Sequence, residues 1–261
     1  MHTISDLDAV SGGSGAQRAD PGRCPLRRAV FPLGRDVFPL PSLSQHRKEA
    51  PTSKSHLART ERDRLCDELT GAGPEAPTLC EGWLTRDLAA HLFVRERRPF
   101  AAPGILLGGP FARLTASAMS AALRTDGYRG LVAKVRSGPP AWSRPVDELV
   151  NLVEFFVHTE DVRRAVPGSE PRQDPQLDAA LWASLGRMSK LMTRKLRGAG
   201  LELERPDGER LVAHRGEPRA VLSGGPQELV LYLYGRGQVA RVSLSGPAEA
   251  QSAVRGAQFG I

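Results

Sequence analysis

Between residues 56 and 198 the apolar positions recur at helical spacing, and after Gly198 that spacing gives way to strict alternation. A period of 3.6 buries one stripe of a helix, whereas a period of two buries one face of a strand. A chain that changes period once in this way is expected to be mainly α: a helical bundle over 56–198, followed by a small α+β domain over 199–261.

Within the first part, Leu57, Glu61, Arg64, Leu65, Glu68 and Leu69 mark a helix that ends at Gly71. A proline-containing loop follows, and Thr85 is placed to cap a second helix with Asp87 in its first turn, where an anion meets the positive end of the dipole. A third helical segment runs from about Pro110 to Ser137, interrupted around Asp126-Gly127. A fourth runs from Pro145 to about Val166, and a fifth from Pro175 to Arg197. In the second part, strands are expected at 201–204, 210–214, 219–223 and 239–244, with short helices at 225–234 and 247–255.

Residues 1–55 differ from the rest. Their Ser/Gly tract and proline-broken apolar fragments carry no sustained period. They read as a flexible tail or as an over-extended start of the chain, although a shorter product needs a non-Met start because no Met lies between Met1 and Met119.

No apolar run approaches the ~20 residues that a membrane span requires. The N-terminus lacks a signal peptide, since the stretch after Arg27-Arg28 is broken by Pro32, Pro39 and Pro41. Cys24, Cys66 and Cys80 are odd in number and without C-x-x-C spacing, which argues against a disulfide framework and for a reducing cytoplasm. The net charge of +7 is mostly scattered arginine, with few aromatics to stack bases, so a nucleic-acid partner is not expected.

The chemistry concentrates on two helices. Glu154 and His158 are four residues apart and share a face that is otherwise apolar. A carboxylate and an imidazole are costly there unless something satisfies them, and a divalent cation does so. That spacing alone also fits an exposed hydrogen-bonded pair. His91 lies on the apolar stripe of the second helix, where it could equally be a core histidine bound to a carbonyl. Together the two helices make a shared metal as good a reading as the separate bland ones.

Three runs then carry a resemblance. Pro77-Thr-Leu-Cys-Glu-Gly-Trp-Leu-Thr-Arg-Asp-Leu-Ala-Ala-His91 resembles the opening signature of the mycothiol-dependent maleylpyruvate isomerase family, within the DinB-like metal-binding superfamily. Glu154-Phe-Phe-Val-His158-Thr-Glu-Asp161-Val-Arg-Arg-Ala165 is similar to its second signature, and Gly225-Pro-Gln-Glu-Leu-Val-Leu-Tyr-Leu-Tyr-Gly235-Arg236 to its third. The likeness spans about 56–261 and is greatest to an actinobacterial metal-binding branch. It implies a DinB-like four-helix bundle in which His91, Glu154 and His158 are the metal ligands. Three protein ligands leave a position open, the catalytic pattern for zinc, and an open site can lower the pKa of water or hold a thiol as thiolate. The resemblance also implies mycothiol as co-substrate, so no catalytic cysteine is required.

Asp161 continues the stripe of Glu154 and His158, where it would orient a ligand histidine or act as a base; the bland reading pairs it with Arg164 or Arg86. By the resemblance Arg236 faces the metal from the second domain, and the bland reading makes it the counter-charge of a helix end. Trp83 is expected to plug the bundle. Cys80 is expected to be a buried small residue, since as a fourth ligand it would close the site. His214, His2, His46 and His56 are given no role. The expected function is an isomerase or thiol transferase joining a small thiol to a small electrophile, in a monomer or homodimer. The alternative is a non-catalytic metal-binding module. Zinc is preferred to nickel, iron or manganese for two imidazoles and one carboxylate.

Overall fold

The computed structural model describes residues 54–97, 110–139 and 144–260. The expected tail, residues 1–55, lies outside them apart from Lys54 and Ser55, which open the first helix. Seven helices and four strands are described: α1 (Lys54–Ala72), α2 (Thr85–Arg97), α3 (Pro110–Arg136), α4 (Arg144–Arg163), α5 (Pro175–Met192), β1 (Gly200–Glu204), β2 (Arg210–His214), β3 (Arg219–Ser223), α6 (Pro226–Leu233), β4 (Ser243–Ser245) and α7 (Ala248–Gly256). The protein is mainly helical, a four-helix bundle followed by a small α+β part, as its change of period implies. In the bundle α1 packs along α4 and α2 along α3, while α5 packs on α6 and β2. The sheet order is β2-β1-β3-β4, with β1 antiparallel to β2 and parallel to β3. No helix among the described residues is long and apolar enough to cross a membrane.

Several local expectations are corrected by long-range contacts. Thr85 does not cap α2: its hydroxyl donates to the carbonyl of Gly73. Leu84 holds the cap position, with its carbonyl accepting from the amide of Leu88 at 3.1 Å and its own N–H bonded at 3.0 Å to the carboxylate of Asp87, half of a capping box. The interruption expected in the third helix falls at Gly127, whose φ of 62° breaks the helical path. The fourth helix stops at Arg163. The fifth stops at Met192, because the hydroxyl of Thr193 bonds at 2.9 Å to the carbonyl of Ala213 in β2 and turns the chain onto the sheet. The last strand is confined to Ser243–Ser245. Its expected first half is spent elsewhere: the amides of Val239 and Ala240 bond to the carbonyl of Arg236, and that of Arg241 to the carboxylate of Glu228 at 2.7 Å.

Two apolar cores flank α4. One gathers Leu65, Leu69, Leu88, Leu92, Leu131 and Val135 from α1, α2 and α3; the other gathers Leu181, Leu201, Leu222 and Leu231 from α5, the sheet and α6. Phe155 enters the first and its neighbour Phe156 the second, both fully buried. Each such ring contributes roughly 1.5–3 kcal/mol by burial, so together they fix the rotation of α4 about its axis. At about 100° per residue, Glu154, His158 and Asp161 then lie within ~60° of one another on the remaining side.

Candidate metal centre

The three expected ligands converge. Suitable donor atoms of His91, Glu154 and His158 all lie within 4.8 Å of one another. His158 Nε2 is 3.2 Å, and His91 Nε2 3.8 Å, from the same oxygen, Glu154 Oε1. Zinc bonds of ~2.0–2.1 Å at tetrahedral angles place donors about 3.3–3.4 Å apart, so this donor set fits such a cation after small side-chain shifts. The imidazole rings meet edge to face at 5.4 Å, which directs two ring nitrogens toward one point rather than stacking them.

The far edge of His158 is occupied. Its Nδ1 is 2.8 Å from Oδ2 of Asp161, a residue with no exposed side-chain surface. The guanidinium of Arg236 clasps that carboxylate with two bonds, Nε to Oδ1 at 2.8 Å and Nη2 to Oδ2 at 2.7 Å. Cys80 adds a third element: its thiol donates to Asp161 Oδ2 at 3.1 Å, and Arg236 Nη2 reaches its sulfur at 3.4 Å. Asp161 therefore makes none of the bonds considered for it with Arg164 or Arg86, which pair instead with Glu160 and Glu228, and with Glu75.

Each of these side chains has a local cause for its position. Arg236 is aimed by a Schellman turn: Gly235 adopts φ 81°, its amide bonds to the carbonyl of Tyr232, and that of Arg236 bonds to Leu231. Arg236 also donates to the carbonyl of Tyr234 at the helix end, so the pairing with a carboxylate and the capping of a C-terminus occur together. The helix that carries this turn is tied to α4 by Arg164, buried between Glu160 and Glu228 at 2.6 Å each. Buried ion pairs cost desolvation and add little stability, but this one fixes register. The loop bearing Cys80 and Trp83 is held by a bond of 3.0 Å from the amide of Leu79 to the carbonyl of Asp161. Trp83 packs against the first core, as a plug would, and its ring also meets His91 at 5.1 Å.

Of two further neighbours of the site, Arg95 was not anticipated from the sequence, and Cys80, expected to be a buried small residue, is only partly buried. Arg95, four residues after His91 on α2, places Nε 3.5 Å from Glu154 Oε1 and donates through Nη1 to Asn151. That helical spacing was the available signal. Cys80 belongs to a second group, with His158 and Asp161, that could hold a metal. It stands on the Nδ1 side of His158 and is not part of the His91–Glu154–His158 set. His214 is on β2 and belongs to neither group.

Electrostatics match the geometry. Burial lowers the pKa of His91, partly offset by its hydrogen bond to Glu154. Burial pushes the Glu154 carboxyl up, but hydrogen bonds from His158 and His91 outweigh it and hold the group well below the usual carboxylate range. Burial also opposes charge on His158, yet bonds to Asp161, Cys80 and Glu154 raise it well above an ordinary imidazole. Asp161, which burial alone would raise, is pulled down to about 2 by His158 and Arg236. Without a cation, the site keeps a proton on His158 between two anions.

The frame is a helical bundle joined to a small mixed sheet, with one imidazole from α2 and an imidazole and a carboxylate from α4 gathered at one point. Comparison with known proteins specifies it further. Residues 55–104 match the family described as mycothiol maleylpyruvate isomerase N-terminal domain. Among solved structures it is similar to one described as the mycothiol-dependent maleylpyruvate isomerase, at 20% identity over 76% of this chain and 94% of that one, with a TM-score of 0.51. A histidine-to-alanine mutant of that enzyme gives a TM-score of 0.49 at the same identity and coverage. At this identity the likeness is one of fold. No curated protein matches the chain.

Proposed function

We propose that His91, Glu154 and His158 hold one divalent cation, with zinc favoured by the mixed nitrogen and oxygen donors, and that the protein joins a small thiol of the mycothiol class to a small electrophile, as an isomerase or transferase in the cytoplasm. The observation that carries this reading is the convergence of two Nε2 atoms and one carboxylate oxygen, with Cys80 outside the set. Three donors leave a fourth position for a reactant.

A bound cation there supplies Lewis acidity and favours the thiolate form of a thiol. The chain's own residues arrange the rest. Asp161 keeps the proton of His158 on Nδ1, which leaves Nε2 as the donor that faces Glu154. Arg236 holds Asp161 through both oxygens, and since those oxygens are engaged, Asp161 serves to orient rather than to accept a proton from substrate. Trp83 and the buried face of α2 wall the site on the His91 side. The family match over residues 55–104 and the mycothiol dependence of the similar solved structure support the thiol as co-substrate.

The test is metal content together with thiol conjugation, using mycothiol, for the wild type and His158→Ala. One metal per chain and activity are expected in the wild type, with both lost in the variant. Purified protein without stoichiometric metal, or a variant that retains it, would end this reading.

A further inference from the structure

We infer that Arg95 is the anchor for a carboxylate on the electrophile, an inference that rests on the proposed metal centre. The guanidinium stands on the Glu154 side of the site, across from the Asp161–Arg236 pair. Its Nε lies 3.5 Å from Glu154 Oε1, its side chain is 17% exposed, and Nη1 donates to the neutral side chain of Asn151. None of the described residues takes the hydrogens of Nη2. Arg95 therefore presents an unspent edge of a planar fork, the geometry that recognises carboxylates.

Charge balance points the same way. Asp161 and Arg236 neutralise each other through their two bonds. On the other side, a divalent cation and Arg95 bring three positive charges against the one negative charge of Glu154. A thiolate cancels one of the two left over. The remaining charge belongs to a guanidinium whose one anionic neighbour among the described residues would then be shared with the cation, an expensive state in a half-buried place unless an anion joins it. A carboxylate on the second reactant closes the balance. The hydroxyl of Tyr234, buried and matched among the described residues with the thioether of Met188 at 3.9 Å, is a neutral donor in the field of the same Glu154, Arg95 and Arg236.

The experiment is calorimetric titration of the zinc-loaded protein with succinate and with succinamide, its neutral counterpart. Zinc per chain and thermal midpoint are measured in every sample, for wild type, Arg95→Gln, Arg95→Lys and Tyr234→Phe. The wild type is expected to prefer succinate at least tenfold. Arg95→Gln should lose that preference with zinc content unchanged, Arg95→Lys should keep part of it, and Tyr234→Phe should weaken it severalfold. Equal succinate affinity in wild type and Arg95→Gln, with zinc present in both, overturns this inference and leaves the metal centre standing. Should Arg95→Gln fail to fold, Arg95→Lys decides: undiminished preference with a single point charge overturns recognition by the fork. Wild type without zinc removes the charge excess and overturns both.

Discussion

His158 gives one edge of its ring to Asp161, with Nδ1 2.8 Å from Oδ2, so that the opposite nitrogen is the one that meets Glu154. The orientation of the imidazole is set from outside the proposed ligand set, by a carboxylate that itself pairs with Arg236 on a different part of the chain.

Replacing that carboxylate should weaken metal binding without removing a ligand. Asp161→Asn is expected to lower zinc affinity by about 10–100-fold, the usual effect of losing a carboxylate behind a ligand histidine. Competition with a chromophoric chelator measures it. Unchanged affinity would show that His158 needs no such support.

The pH response should differ with and without the cation. His158 has a raised folded-state pKa, so in cation-free protein its stabilisation is fully present below the ordinary value of 6.5 and is lost as pH rises through the folded value. Asp161 is depressed from 3.8 to about 2, so its contribution is present above 3.8 and is lost as pH falls toward 2. Thermal midpoints in chelator should therefore show an advantage of wild type over His158→Gln that shrinks at alkaline pH. In zinc the advantage should grow with pH, because metal must displace the proton on His158. An advantage independent of pH in both conditions would contradict the assignment.

Thiol reactivity should separate two cysteines. Cys66 is fully buried, its thiol donates to the carbonyl of Val132, and burial pushes its pKa up to about 12. Cys80 is only partly buried. Alkylation of the native protein followed by peptide mapping should label Cys80 well before Cys66, and urea should abolish the difference. Early labelling of Cys66 would mean that the bundle opens locally.

A close backbone approach sets a stability test in the second part of the chain. A Cβ on Gly200 would sit 2.2 Å from the carbonyl oxygen of Gly216, whereas one on Gly186 in α5 would meet nothing within 4 Å. Gly200→Ala is expected to cost about 1–3 kcal/mol or more in urea unfolding, as overpacking does. Gly186→Ala should gain roughly 0.4–1 kcal/mol by restricting the unfolded chain. Similar effects at the two positions would contradict the strand pairing described for β1.

Local periodicity made the centre legible as far as helices carry it. Glu154, His158 and Asp161 fall on one stripe because their spacings are near multiples of a turn, and His91 could be read from its own stripe in the same way. What escaped depends on bonds between distant segments. Thr85 looks like a cap, but its hydroxyl is claimed by Gly73; 239–242 looks like a strand, but Glu228 takes one of its amides. Cys80 reaches Asp161 only because the amide of Leu79 docks on the same helix, and nothing in the loop's own composition announces that. The direction of Arg236 was implicit in Gly235, yet its target was not, since a turn fixes where a side chain starts and not what awaits it.

With Phe155 and Phe156 anchored in separate cores, α4 has no freedom to roll. The entropy of gathering Glu154 and His158 is thus spent during folding, before any ion arrives. The proposed centre is therefore expected to behave as a rigid chelator. It should release its ion slowly and discriminate against cations that demand six or more oxygens, because the helix cannot deform to add a donor.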